Sequence, residues 1–352
     1  MRREAPHHNK HNLIDSDVPM IFDFSITNFR GELAALGAAF LWAISAVVFA
    51  HLGKKIPPLA LNLSKGVIAI ALIALTVIVQ GNYLAEIDAL TLGLVLLSGV
   101  FGIGLGDTFY FEALNRIGAR RTLLVQALAP PLAALIALTF LQEALSPGAW
   151  AGIVLTVLGV TWVISERVPN YNSYAVSPLR GISFALLSVL GQASGAVLSR
   201  VALAETSLSP LWSTLLRLVG GVLVLLVWLP LQSQSHLWFK LILERFATNR
   251  LSVSYGLKRA EVDKLNKSFS RIEIKQLLGI ITLTAFFSTY LGILLQQTAL
   301  KYTATGIAQA LIATSPIFVL PIAIWMGEVV SFRAILGVLV ALGGIGLLFG
   351  WQ

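Results

Sequence analysis

The chain has 352 residues, 57% of them hydrophobic and 12% charged, no cysteine, and a net charge of +8 at pH 7. Soluble domains usually carry about 25% charged residues, so a mean hydropathy of +0.82 leaves more apolar surface than a soluble core can hide and implies an integral membrane protein. The lack of cysteine excludes disulfides, thiolate metal sites and thiol catalysis, and the basic excess reads as orientation and anionic-lipid contact, not as a nucleic-acid interface.

Residues 1–30 form a polar tail holding His7, His8 and His11. The tail lacks the apolar core and small-residue cleavage site of a signal peptide, so the first membrane helix is expected to direct insertion itself. A hydrocarbon layer of roughly 30 Å asks for about 20 apolar residues per helix. Runs bounded by Gly, Pro and charge predict spans near 31–52, 57–80, 90–113, 121–141, 147–165, 180–203, 209–231, 275–300, 305–327 and 331–350. Short connections suit antiparallel neighbours. The exception, 232–274, interleaves apolar clusters with Lys240, Arg245 and Arg250, a pattern suited to lying on an anionic leaflet.

Charge inside these spans is sparse and therefore informative, because an unpaired ion in lipid is costly. Lys65 and Arg217 each stand seven residues past the proline that opens their span, roughly 10 Å into the helix. They either snorkel to the surface or serve a cavity or gate, one near each mouth of a central path. Asp107 is read either as a structural partner of a helix end or hydroxyl, or as lining that path. Glu112 reads as interfacial, and Arg116, Arg120 and Arg121, placed in a short loop, read as orientation signals and headgroup contacts. Gly99, Gly102, Gly104 and Gly106 lie inside an apolar span, where small residues let helices approach closely; a dinucleotide fingerprint would need a preceding strand. Pro130, Pro131, Pro316 and Pro321 interrupt spans four and nine, as hinges or as kinks. Glu143 and Glu328 end apolar helices, each before a serine able to cap the next. Buried-depth polar and aromatic residues complete the set of path candidates: Trp42, Ser45, Tyr110, Gln126, Gln192, Tyr290, Gln296 and Gln309.

The two halves resemble each other. A shift of 185 residues lays Pro131 on Pro316, Glu143 on Glu328, Ser146 on Ser331, Gly152 on Gly337 and Gly159 on Gly344. A shift of 186 lays Gly106 on Gly292 and pairs Tyr110 with Gln296, and a shift of 152 lays Lys65 on Arg217; Trp42 falls near Gln192. The expected fold is therefore an all-α integral membrane protein of about ten transmembrane helices formed by two inverted five-helix repeats, since an odd number of spans turns the second copy over. The repeats are placed at 31–165 and 180–351, joined by a loop at 166–179, with 232–274 inserted in the second.

The stretches "GDTFYFEALNRIGA", "LAPPLAALIALTFLQEALSPGAWAGIVLTVLGV" and "TSPIFVLPIAIWMGEVVSFRAILGVLVALGGIGLL" resemble the EamA type of the drug/metabolite transporter superfamily, over about residues 31–351 apart from the insertion. The resemblance implies ten helices in two repeats, and uptake or export of amino acids, other metabolites or drugs. It also implies both termini in the cytoplasm, whereas the distribution of Lys and Arg over the connections favours the opposite orientation. Members of the family often carry Arg where this chain has Lys65.

The expected activity is secondary transport of a small organic metabolite, amino acid or organic anion-like, by alternating access in a multi-pass protein of the inner (plasma) membrane. A multidrug exporter of the same fold is the main alternative, and a non-transporting receptor or scaffold a further one. An enzyme is disfavoured: the sequence holds no HExxH, GxSxG or paired intramembrane aspartates, and no GxxxxGK[ST] loop for ATP. No cofactor or metal is expected, and small-molecule substrate and lipid are the expected partners.

Overall fold

The structure is a computed structural model, and it describes residues 29–81, 87–141, 146–165, 178–204, 206–232, 235, 238–239, 271–303, 305–326 and 330–350. Glu143, Glu328, the tail before residue 29, the loop at 166–177 and nearly all of the 232–274 insertion lie outside the described residues.

The described residues are helical throughout their length apart from short turns. In chain order they are α1 (Arg30–Leu52), α2 (Pro58–Gln80), α3 (Ala89–Gly99), a π-helical segment (Val100–Gly106), α4 (Asp107–Gln126), α5 (Ala129–Leu141), α6 (Pro147–Ser165), α7 (Pro178–Ala204) and α8 (Pro210–Trp228). After the insertion come α9 (Arg271–Thr284), a second π-helical segment (Ala285–Leu291), α10 (Gly292–Tyr302), α11 (Thr305–Ile312), α12 (Ser315–Trp325) and α13 (Phe332–Gly350). Pro58 and Pro210 open their helices, where a missing N–H has no partner to lose. Ser209 and Asp88 accept from Trp212 N and Thr91 N, both at 3.3 Å, capping α8 and α3. Among the described residues, seven helical stretches are long and apolar enough to cross a membrane, and two shorter apolar ones occupy Trp150–Trp162 and Phe332–Leu347.

Three local expectations are corrected. First, Arg116, Arg120 and Arg121 are on α4, not in a loop. The chain turns at a single residue, Gly118, whose φ of 76° and ψ of 170° fall in a region open essentially to glycine alone; no loop is needed. Arg116 pairs with Glu112 one helical turn away and lies over the Phe184 ring, 4.5 Å from its centroid. Second, span four breaks at Ala127–Leu128 and span nine at Ala313–Thr314. Third, Pro130, Pro131 and Pro316 do not interrupt a helix but sit in the first turn of the helix that follows each break, leaving Pro321 inside α12. At the second break the carbonyls of Leu311 and Ile312 accept from the Thr314 and Ser315 hydroxyls at 2.6 and 2.7 Å, and Leu311 O also accepts from Thr314 N at 3.1 Å.

Packing between the halves is reciprocal. α1 packs on α10 while α7 packs on α4; α3 packs on α8 while α2 packs on the second π segment; α6 packs along α13. In the last pair, a Cβ on Gly159 would lie 2.5 Å from Ala341 N and 2.8 Å from Gly337 O, and one on Gly344 would lie 2.5 Å from Thr156 N and 2.7 Å from Gly152 O. Residues that the 185-residue shift makes equivalent thus exchange roles across one antiparallel contact, as the two sides of a two-fold interface do. The two π segments have seven residues each and begin 185 residues apart, at Val100 and Ala285.

Candidate functional site: a polar cavity between the halves

A cavity with an empty volume of about 990 Å³, open solvent included, lies where α1, α2, α4, α7, α8, both π segments and both helix breaks meet. A π-helical turn leaves backbone carbonyls without their usual i+4 donors, and here side chains supply them. Trp42 Nε1 donates to Ser288 O at 2.9 Å in the second π segment. In the first, Asn62 Nδ2 donates to Ile103 O at 2.7 Å, and Thr108 Oγ1 at the start of α4, which accepts from the same amide at 2.9 Å, donates to Gly104 O at 2.6 Å. Glycines at the end of α3 and in the first segment let α8 approach closely. Gly99 faces the Arg217 carbonyl oxygen, which a Cβ would approach to 1.9 Å, and Gly102 faces the Arg217 guanidinium.

Lys65 and Arg217 both border this cavity. Both side chains are buried inside the protein and do not reach its surface: α2 and α8 pack on each other, and the two residues are 3% and 1% exposed. Lys65 Nζ donates to Asp107 Oδ2 at 2.5 Å and lies 5.4 Å from the Phe111 ring centroid. Gln192 Nε2 donates to the other carboxylate oxygen at 2.6 Å. Asp107 thus bonds one side chain on α2 and one on α7 and borders the cavity. Arg217 Nη1 makes a long contact of 3.4 Å with Gln296 Oε1, and its Nε has no partner.

All of the path candidates except Tyr290 line the cavity: Trp42, Ser45, Tyr110, Gln126, Gln192, Gln296 and Gln309 join Lys65, Asp107 and Arg217. Gln126 Nε2 donates to Ser188 Oγ at 2.7 Å, whereas Gln309 Nε2 is buried without a partner. Tyr290 turns to α2 instead, its hydroxyl 3.0 Å from Thr76 Oγ1 and its ring stacked on Phe286. Pro130 and Pro316 line the cavity, Pro131 and Pro321 do not. Sequence reasoning missed Asn62, Thr289, Ser288 and Phe111. Asn62 had a signal: it precedes Lys65 by three residues, so the two share a helix face. Ser288 acts through its backbone and leaves no side-chain signal.

Among the described residues no group of three or more His, Cys, Asp or Glu is placed to hold a metal ion. The polar groups here can bind and orient an organic molecule.

A model of the EamA-like transporter family matches the chain twice, over residues 29–165 and 179–350. The chain belongs to that family. It is an integral, multi-pass EamA-like membrane protein whose general activity is secondary transport of small molecules. A solved structure whose title reads only "Crystal structure of protein" is 15% identical, with a TM-score of 0.57, covering 90% of this chain and 95% of that one; at that identity the likeness concerns the fold. No curated protein matches the chain.

Proposed function

We propose that this EamA-like protein is a ten-span carrier of the plasma membrane that moves a small organic metabolite bearing an anionic group, an amino acid or an organic anion, by alternating access between two inverted repeats. The observation that carries the reading is the single cavity bordered by Lys65 of one half and Arg217 of the other, with the candidates Trp42 and Gln192, and Tyr110 and Gln296, drawn from both halves. Sites at a repeat interface, next to broken helices, are how secondary transporters bind substrate and expose it to either side. The breaks before Pro130 and Pro316 border the same space and are the natural hinges. A cation-accepting drug site would want a free acid, and Asp107, the acid among the described lining residues, is already held by Lys65 and Gln192; this disfavours the multidrug alternative.

The test is efflux from liposomes loaded with a mixed metabolite pool, followed by mass spectrometry, with wild type and Arg217→Gln at matched incorporation. Loss of anionic or zwitterionic solutes through wild type, reduced in the variant, supports the carrier. Equal leakage from both and from empty liposomes, repeated under imposed gradients, sinks it and favours a non-transporting receptor.

A further inference from the structure

The following rests on the carrier reading and narrows its substrate. We propose that the cavity selects a monocarboxylate with an apolar or aromatic body, its carboxylate seated on Arg217, over both zwitterionic amino acids and phosphate monoesters.

The charges that border the cavity among the described residues are Lys65, Arg217 and Asp107. They are not shared evenly. Lys65 is spent on Asp107 at 2.5 Å, and both oxygens of Asp107 are engaged, the second by Gln192 at 2.6 Å. Arg217 makes no hydrogen bond or ion pair with a described carboxylate; it has one contact at 3.4 Å and a bare Nε, at 1% exposure. The repeat explains the imbalance. Lys65 and Arg217 are equivalent positions, but the counterpart of Asp107 at a shift of 186 is Ile293, which also lines the cavity. Among the described residues, the second half has the cation at this position and no acid bonded to it.

A guanidinium is a planar fork that matches a carboxylate in two parallel hydrogen bonds. Two further unpartnered polar groups border the same space, Thr289 Oγ1 and Gln309 Nε2, in residues 1% and 6% exposed. These are donors available to an acceptor-rich group. Trp42, Phe49, Phe111, Ile103 and Leu123 supply apolar wall for the rest of the molecule.

Magnitude then separates the candidate anions. Two cations and one carboxylate leave a single positive charge. One carboxylate neutralises it, whereas a phosphate monoester brings about −1.5 to −2 and leaves an excess negative charge buried. An amino acid adds an ammonium, and the acid that would receive it is already doubly bonded.

The experiment measures binding to the purified full chain in detergent by ligand-induced thermal shift, with benzoate, benzamide, phenylalanine and phenyl phosphate as probes. Wild type is expected to bind benzoate at least tenfold tighter than the other three. Arg217→Gln should erase the preference of benzoate over benzamide, and Arg217→Lys should restore part of it; unliganded melting of each variant checks that it is folded. Asp107→Asn, which raises the cavity charge by one, should shift preference toward phenyl phosphate. The proposal is overturned by phenylalanine or phenyl phosphate binding as tightly as benzoate, by a folded Arg217→Gln that keeps the preference, or by a folded wild type indifferent to benzoate. Any of these leaves the carrier reading to the efflux assay, where flux of another solute would sustain it.

Discussion

Thr156 and Ala341 stand 185 residues apart, the interval that relates the two halves of the sequence, and they touch: Thr156 Oγ1 lies 3.3 Å from the Ala341 carbonyl oxygen. On either side of that contact, Gly159 and Gly344 sit against backbone of the opposite helix. Membrane helices associate by close packing, with no hydrophobic gain from leaving lipid, so the seam has no slack for an added methyl group. Gly159→Val and Gly344→Val are each expected to lower stability by about 1–3 kcal/mol, read as a shift of the melting transition in detergent. Equal losses would follow from the reciprocal geometry; a change in only one would speak against it.

Lys65→Met should be more damaging than its pairing suggests, because it leaves the Asp107 carboxylate buried without its cation. Removing one partner of a buried pair costs about 3–5 kcal/mol, and the low end is expected here since the Asp107 side chain keeps 16% exposure. The double variant Lys65→Met/Asp107→Leu should recover most of that loss. Chemical denaturation of the four members of the cycle measures the coupling.

Asn62 and Trp42 both serve a π-helical segment, but Asn62 holds Ile103 O and Thr108 Oγ1 from a fully buried position. Asn62→Leu removes the side-chain donor to the buried Ile103 carbonyl, while Thr108 Oγ1 keeps its bond to Gly104 O, and should cost about 1–3 kcal/mol; Trp42→Phe, which loses one bond to Ser288 O, should cost about 0.5–1.5 kcal/mol. Thermal unfolding ranks the two; Trp42→Phe is additionally expected to slow efflux, because Trp42 borders the cavity.

Gly118→Ala tests the one-residue turn in α4. At φ 76° and ψ 170° a Cβ is strained whatever the surrounding space, so a loss of about 1–3 kcal/mol is expected. A neutral result would mean that the helix can continue through this point, and Arg120 and Arg121 would then be carried to a different face.

Much of this was legible in the sequence because lipid imposes strict rules. Apolar length marked the helices, and the cost of buried charge singled out Lys65, Asp107 and Arg217 before any geometry was known. Trp42, Gln192, Tyr110 and Gln296, which the internal likeness of the sequence brings into pairs, all border the cavity. What stayed hidden was local backbone. No residue type marks a π segment, the breaks at Ala127–Leu128 and Ala313–Thr314 precede the prolines taken as their cause, and Gly118 does the work of a loop. Tyr290 illustrates the limit of depth as a guide: it stands at the right level of its helix, but the π segment turns it toward Thr76.

The seam between α6 and α13 has one more property. If the two halves trade conformations, every contact of α1 on α10 becomes one of α7 on α4, and the distances change in pairs. The contact of Thr156 with Ala341 has no such counterpart, because the exchange returns it to itself. Spin labels or fluorophores on the outer faces of α6 and α13 therefore mark a stationary reference, against which displacement of the other helices during a transport cycle is read as motion about a fixed keel.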